Sequence, residues 1–124
     1  MKIVSRGLEY AFDVKQHLYT NVKRNGHLVI DVFLTTKNSV VLYKQSYGYT
    51  YVDIINIQHV NNMVSGNLKT TWFEKLWGKN TDPYQYITDV VSKWVSDDDT
   101  SCMPPIINAV CEACGINSPK YIEV

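Results

Sequence analysis

No run of about 18 apolar residues occurs in the chain, so nothing in it reads as a membrane-spanning helix and no membrane partner is expected. Behind the basic residues Lys2 and Arg6 there is no apolar stretch of the kind a secretory leader needs, which leads to an expected cytoplasmic location, including the cytoplasm of a host cell. Cysteine is scarce: three residues, an odd number, at Cys102, Cys111 and Cys114. Without a leader these read as reduced thiols, not a disulfide framework. Cys111-x-x-Cys114 has the spacing of half a zinc site, but no second pair of ligands accompanies it. The three histidines, His17, His27 and His59, form no metal-binding spacing. Walker-type and G-x-G-x-x-G loops are missing, as is the alternating-acid pattern of a calcium loop around Asp97, Asp98 and Asp99. No metal or cofactor is therefore expected, and no catalytic residue is assigned.

Arginine is also scarce, with Arg6 and Arg24 alone, and the formal net charge is zero where nucleic-acid domains are usually basic. The charge is unevenly spread: residues 1–80 hold ten Lys/Arg and five Asp/Glu, residues 81–124 two and seven. Such a dipole can orient a charged partner during encounter.

What the chain does have is a composition that packs. At 124 residues and 45% hydrophobic it fits one domain with its own core, and no linker, repeat or low-complexity segment divides residues 1–124. The first half has β character. Leu8, Tyr10, Phe12 and Val14 alternate with small or charged residues, as in a half-buried strand. Residues 17–36 read as a hairpin closed by Asn25-Gly26, a pair suited to both left-handed positions of a type I′ turn. That closure sets Val22 opposite Val29 and Tyr19 opposite Val32, with Leu28, Ile30, Val32 and Leu34 on the core side. A second hairpin is expected from residues 39–45 through a turn at Gly48 into residues 49–57. Between 52 and 64 strand and helix patterns overlap, and the strand is expected to run to about Gln58.

The second half has α character. Thr71 and Glu74 have capping-box spacing before Trp72 and Trp77, and Gly78 closes that segment. Asp82-Pro83 opens a helix whose Ile87, Val90, Val91, Trp94 and Val95 form an apolar stripe. Pro104-Pro105 opens a last helix ended by Gly115, with Cys111 and Cys114 on its core stripe, and residues 121–124 suit a short edge strand. Strands before helices predict an α+β fold: an antiparallel sheet built from N-terminal hairpins, with C-terminal helices packed on one face.

The segment from Pro104 to Ile116 is similar to the closing helix of the molybdenum hydroxylase large subunits. Upstream, Asp97-Asp98-Asp99-Thr100 departs from that family's active-site segment, and no function is carried over.

Nine tyrosines against three phenylalanines and three tryptophans remain to be explained. Tyrosine gives large contact area at low entropic cost and is enriched at interfaces. Tyr47, Tyr49 and Tyr51, with Lys44 nearby, are the expected partner-binding residues, and Trp72 and Trp77 the next candidates. The functional expectation is a small non-enzymatic protein that binds another protein, such as a microbial or viral accessory or inhibitory protein. Lysines among tyrosines also suit single-stranded nucleic acid or a nucleotide-related ligand. A small enzyme without a recognisable motif is the third class.

Overall fold

The computed structural model describes residues 1–65, 82–95 and 103–116. The features at 71–78 with Trp72 and Trp77, the acids at 97–99, Cys102 and residues 121–124 lie outside them.

The fold is α+β, with antiparallel sheets first and helices late in the chain. Four strands form a meander in chain order: β3 (Val14–Lys23), β4 (Leu28–Thr35), β5 (Ser39–Ser46) and β6 (Tyr49–Asn56). A separate two-stranded hairpin precedes it, β1 (Lys2–Ser5) paired with β2 (Leu8–Ala11). Among the described residues three helices follow: α1 (Ile57–Ser65), α2 (Pro83–Val95) and α3 (Met103–Cys114). None is long and apolar enough to cross a membrane.

The central strand β4 is covered on both faces. Leu28, Ile30 and Val32 join Val40, Leu42 and Ile55 in the main core, which the helices close with Ile87, Val91, Trp94, Ile106, Ile107 and Val110. On the opposite face Phe33 and Val41 pack against Ile3, with Tyr10, Phe12, Val14, Tyr43 and Val52 around them. The N-terminal hairpin thus covers the face that the helices leave open.

Turn chemistry sets the hairpins. Asn25 (φ 54, ψ 37) and Gly26 (φ 87) are both left-handed, as a type I′ turn requires. The pairs Val22–Val29 and Tyr19–Val32 follow from that closure and are observed. Nearer its start β3 carries two irregularities, between Val14 and Gln16 and between His17 and Tyr19. The second turns both Leu18 and Tyr19 toward the main core and sets His17 opposite Phe33, on the side of the N-terminal hairpin.

Two expectations need correction. The alternation from Leu8 to Val14 belongs to two elements: β2 ends at Ala11 and β3 starts at Val14. Tyr10, Phe12 and Val14 do share the smaller core, but Leu8 is 60% exposed beside the β1–β2 turn. The strand expected to reach Gln58 ends at Asn56, because the Asn56 side chain caps a helix there, its Oδ1 accepting the His59 N–H at 3.1 Å. Ile57 and Val60 then bury at helical spacing.

The two long helices begin and end as their sequences dictate. Asp82 Oδ1 accepts the Tyr84 N–H at 3.0 Å, with Pro83 at the first helical position. At the end of α3, Gly115 takes φ 73 and the Ile116 N–H returns to the Cys111 carbonyl at 2.9 Å.

Candidate functional site

Two further two-residue turns share the geometry of Asn25-Gly26. Arg6-Gly7 joins β1 to β2 with φ 51 and 76, and Tyr47-Gly48 joins β5 to β6 with φ 48 and 85. Asparagine tolerates the left-handed region; arginine and tyrosine meet a steric penalty there of roughly 1–2 kcal/mol. Bulky residues held in that conformation collect at functional positions.

The tyrosines divide by what surrounds them. Tyr47 is 57% exposed and Tyr49 71% exposed at the tip of the β5–β6 hairpin. The Tyr47 ring stacks on His27 from the neighbouring turn, centroids 5.3 Å apart and planes 11° apart. Tyr43 packs under the N-terminal hairpin. Tyr51, opposite Lys44 on the helix side of the sheet, is 40% exposed.

Lys44 is placed differently from what its sequence neighbours suggest. It is 3% exposed, and its Nζ donates to the carbonyls of Trp94 at 2.7 Å and Val95 at 3.2 Å. Those belong to the last turn of α2, whose carbonyls have no partner within the helix and whose dipole favours a cation. The ammonium also lies over the Tyr51 ring, 4.9 Å from its centroid, and near Trp94 at 5.7 Å. Lys44 therefore anchors α2 to the sheet beneath the tyrosines.

Beside Tyr51 the β1–β2 turn, the edge of β6 and the end of α2 enclose a cleft of about 620 Å³. Arg6, Lys93 and Asp53 line it together with Tyr10, Tyr51 and Trp94. The first hairpin is tied to this edge by Ser5, whose Oγ donates to the Thr50 carbonyl at 3.1 Å. Partial burial pushes the Asp53 carboxyl above its usual range, and the charges of Arg6, Lys44 and Lys93 only partly offset this. The sequence reading missed Arg6, Asp53, Lys93 and Trp94. Arg6-Gly7 between two short apolar alternations was the available signal, obscured because arginine is not a usual left-handed residue.

Compared with known protein families, curated proteins and solved structures, the chain matches none. Its geometry alone carries the functional reading.

A second polar group lies on the face of the N-terminal hairpin. His17 Nδ1 is 3.0 Å from Asp31 Oδ1, and Thr20 Oγ1 donates to the same oxygen at 3.4 Å. A histidine oriented by a carboxylate is part of a nucleophilic relay, but here the hydroxyl bonds to the acid, not to the ring. Among the described residues no hydroxyl or thiol bonds to His17.

Cys111 and Cys114 face the main core, as their stripe predicts. Among the described residues no three of His, Cys, Asp and Glu gather as a metal site. Burial raises the Cys111 thiol, and burial together with neighbouring Cys111 pushes Cys114 up to about 11. Since the thiolate is the reactive form, a thiol reagent at pH 8 is expected to label these two at least ~100-fold more slowly in folded than in unfolded protein. Release of the reagent's chromophore measures this, and rapid labelling of two or more thiols in the folded state would contradict it.

Proposed function

We propose that the protein is a small non-enzymatic binding module, and that it engages a protein partner through the tip of the β5–β6 hairpin, with Tyr47 and Tyr49 as contact residues and Tyr51 at the margin. The observation that carries this reading is Tyr47: a bulky ring held at φ 48, exposed, and braced by His27. Folding alone would favour asparagine or glycine at that position, as at Asn25 and Gly26 in the adjacent turn. A rigid, exposed aromatic suits an interface anchor. In this reading Lys44 acts through Tyr51 and α2, not by direct contact.

Replacing Tyr47 by asparagine removes the steric penalty and the stack with His27 together, effects of similar size. Stability is therefore expected to stay within about 1 kcal/mol of the parent. Partner binding is expected to fall roughly thirtyfold, the ~2 kcal/mol usual for an anchor. A photo-crosslinking amino acid at position 49, used in cells of the native source, supplies the binding readout. The expected result is a discrete protein adduct that Tyr47→Asn abolishes and that is not formed from position 36, in the exposed turn at the other end of the sheet. Equal adducts from both positions, or an adduct indifferent to Tyr47→Asn, would overturn the reading.

A further inference from the structure

The cleft beside Tyr51 is built differently from the hairpin tip. Its volume of about 620 Å³ lies in the range of small-molecule sites. Besides Lys44, already bonded to the α2 carbonyls, two cations reach it from separate elements, Arg6 from the β1–β2 turn and Lys93 from α2, and Asp53 enters from β6. Among the described residues none of the side chains of Arg6, Lys93 and Asp53 makes a hydrogen bond or an ion pair. Opposite charges gathered in one cleft without pairing are available to a third party. Arg6 is also the second bulky residue held left-handed, at φ 51, at a turn position where folding alone would favour asparagine or glycine.

The lining restricts the ligand. Cations in excess of the single carboxylate favour an anion, and the guanidinium of Arg6 with the ammonium of Lys93 suits phosphate: the first as a planar fork, the second as a point charge. An ionised Asp53 only accepts hydrogen bonds, so the same ligand must carry hydroxyl or amino donors away from its anionic end. The rest of the lining includes the hydroxyls of Ser5 and Ser46 together with Leu8, Tyr10, Val52 and the Tyr51 ring, and phosphate alone would leave that apolar and aromatic part uncovered. We propose that this cleft binds a phosphorylated small molecule of the nucleoside-monophosphate class, with the phosphate between Arg6 and Lys93, sugar or amino donors toward Asp53, and the ring against Tyr51.

The experiment is titration of ¹⁵N-labelled protein with AMP, ribose 5-phosphate, inorganic phosphate and adenosine, followed by amide and indole shifts. AMP is expected to bind with a dissociation constant of about 1 mM or below. It should move the Trp94 indole and the amides of Ser46, Val52 and Asp53, and adenosine should bind at least tenfold more weakly. Arg6→Asn removes the cation while suiting the left-handed turn, so it should keep or raise the melting temperature and weaken AMP at least tenfold. Lys93→Gln, on an exposed position of α2, should act in the same direction. Absence of AMP shifts at about 10 mM, shifts centred elsewhere, equal binding of adenosine, or AMP affinity unchanged in both variants would each overturn the proposal. Ribose 5-phosphate binding as tightly as AMP would overturn the assignment of the ring to Tyr51. None of these readouts involves Tyr47 or Tyr49, so this site and the hairpin tip stand or fall separately.

Discussion

Replacing Phe33 with alanine is expected to lower stability by about 3–5 kcal/mol, a large part of the 5–15 kcal/mol that holds a typical domain together. Phe33 is fully buried and meets the Phe12 ring edge-on at 5.7 Å. It is the largest side chain of the buried trio with Ile3 and Val41, against which the N-terminal hairpin rests. Its removal deletes ring contacts that neither the sheet nor the hairpin can close over, since both backbones are fixed by their ladders. The loss should concentrate there: trypsin should cleave at Lys2 or Arg6 well before the sheet melts. Urea unfolding together with timed proteolysis measures both effects. A Phe33→Ala protein within 1 kcal/mol of the parent, with its hairpin still protected, would mean that the smaller core contributes little.

Substituting methionine for Lys44 should cost roughly 2–3 kcal/mol, or a melting temperature lower by on the order of 10 °C. Methionine preserves most of the buried stem, so the change isolates the ammonium. Without it the carbonyls of Trp94 and Val95 lose a charged donor in a buried setting, and the end of α2 loses its counter-charge. A buried ion is often dispensable when its partners are replaced along with it, but here the carbonyls belong to the backbone and stay. Were Lys44 instead a direct partner contact, Lys44→Met would weaken binding and leave melting unchanged. Thermal melts of the variant decide between these roles.

What could be read from the sequence followed the range of the forces involved. The Asn25-Gly26 turn and the pairs Val22–Val29 and Tyr19–Val32 were legible, because a two-residue turn fixes the register by chain geometry alone. So were the start of α2 at Asp82-Pro83 and the burial of Cys111 and Cys114, which depend on capping and a 3.6-residue stripe. The boundary at Asn56 was also encoded, since asparagine is a favoured cap, but β-branched neighbours on both sides hid it. The shift that turns His17 toward Asp31 was not legible: a bulge inserts one residue into an alternation without marking which one. Tyr47 and Tyr49 could be picked out by tyrosine density beside Gly48. The cleft could not, because Arg6, Asp53 and Lys93 are far apart in sequence and meet only once α2 docks on β6. Lys44 was expected among the partner-binding residues for the same reason: the carbonyl it bonds lies fifty residues downstream.

The meander also fixes the order in which surfaces are covered while the chain is being made. Once residue 56 has emerged, all four strands of the main sheet can pair with their chain neighbours, and residues 1–13 are already present to cover Phe33 and Val41. Leu28, Ile30, Val32, Val40, Leu42 and Ile55 have no such cover, because much of it lies in residues 83–114. At synthesis rates of roughly 5–20 residues per second, that apolar face waits on the order of several seconds for α2 and α3. During that interval the nascent sheet has one dry side and one wet side. A chaperone that shields exposed apolar surface would meet it there, on the helix side of β4 and β5.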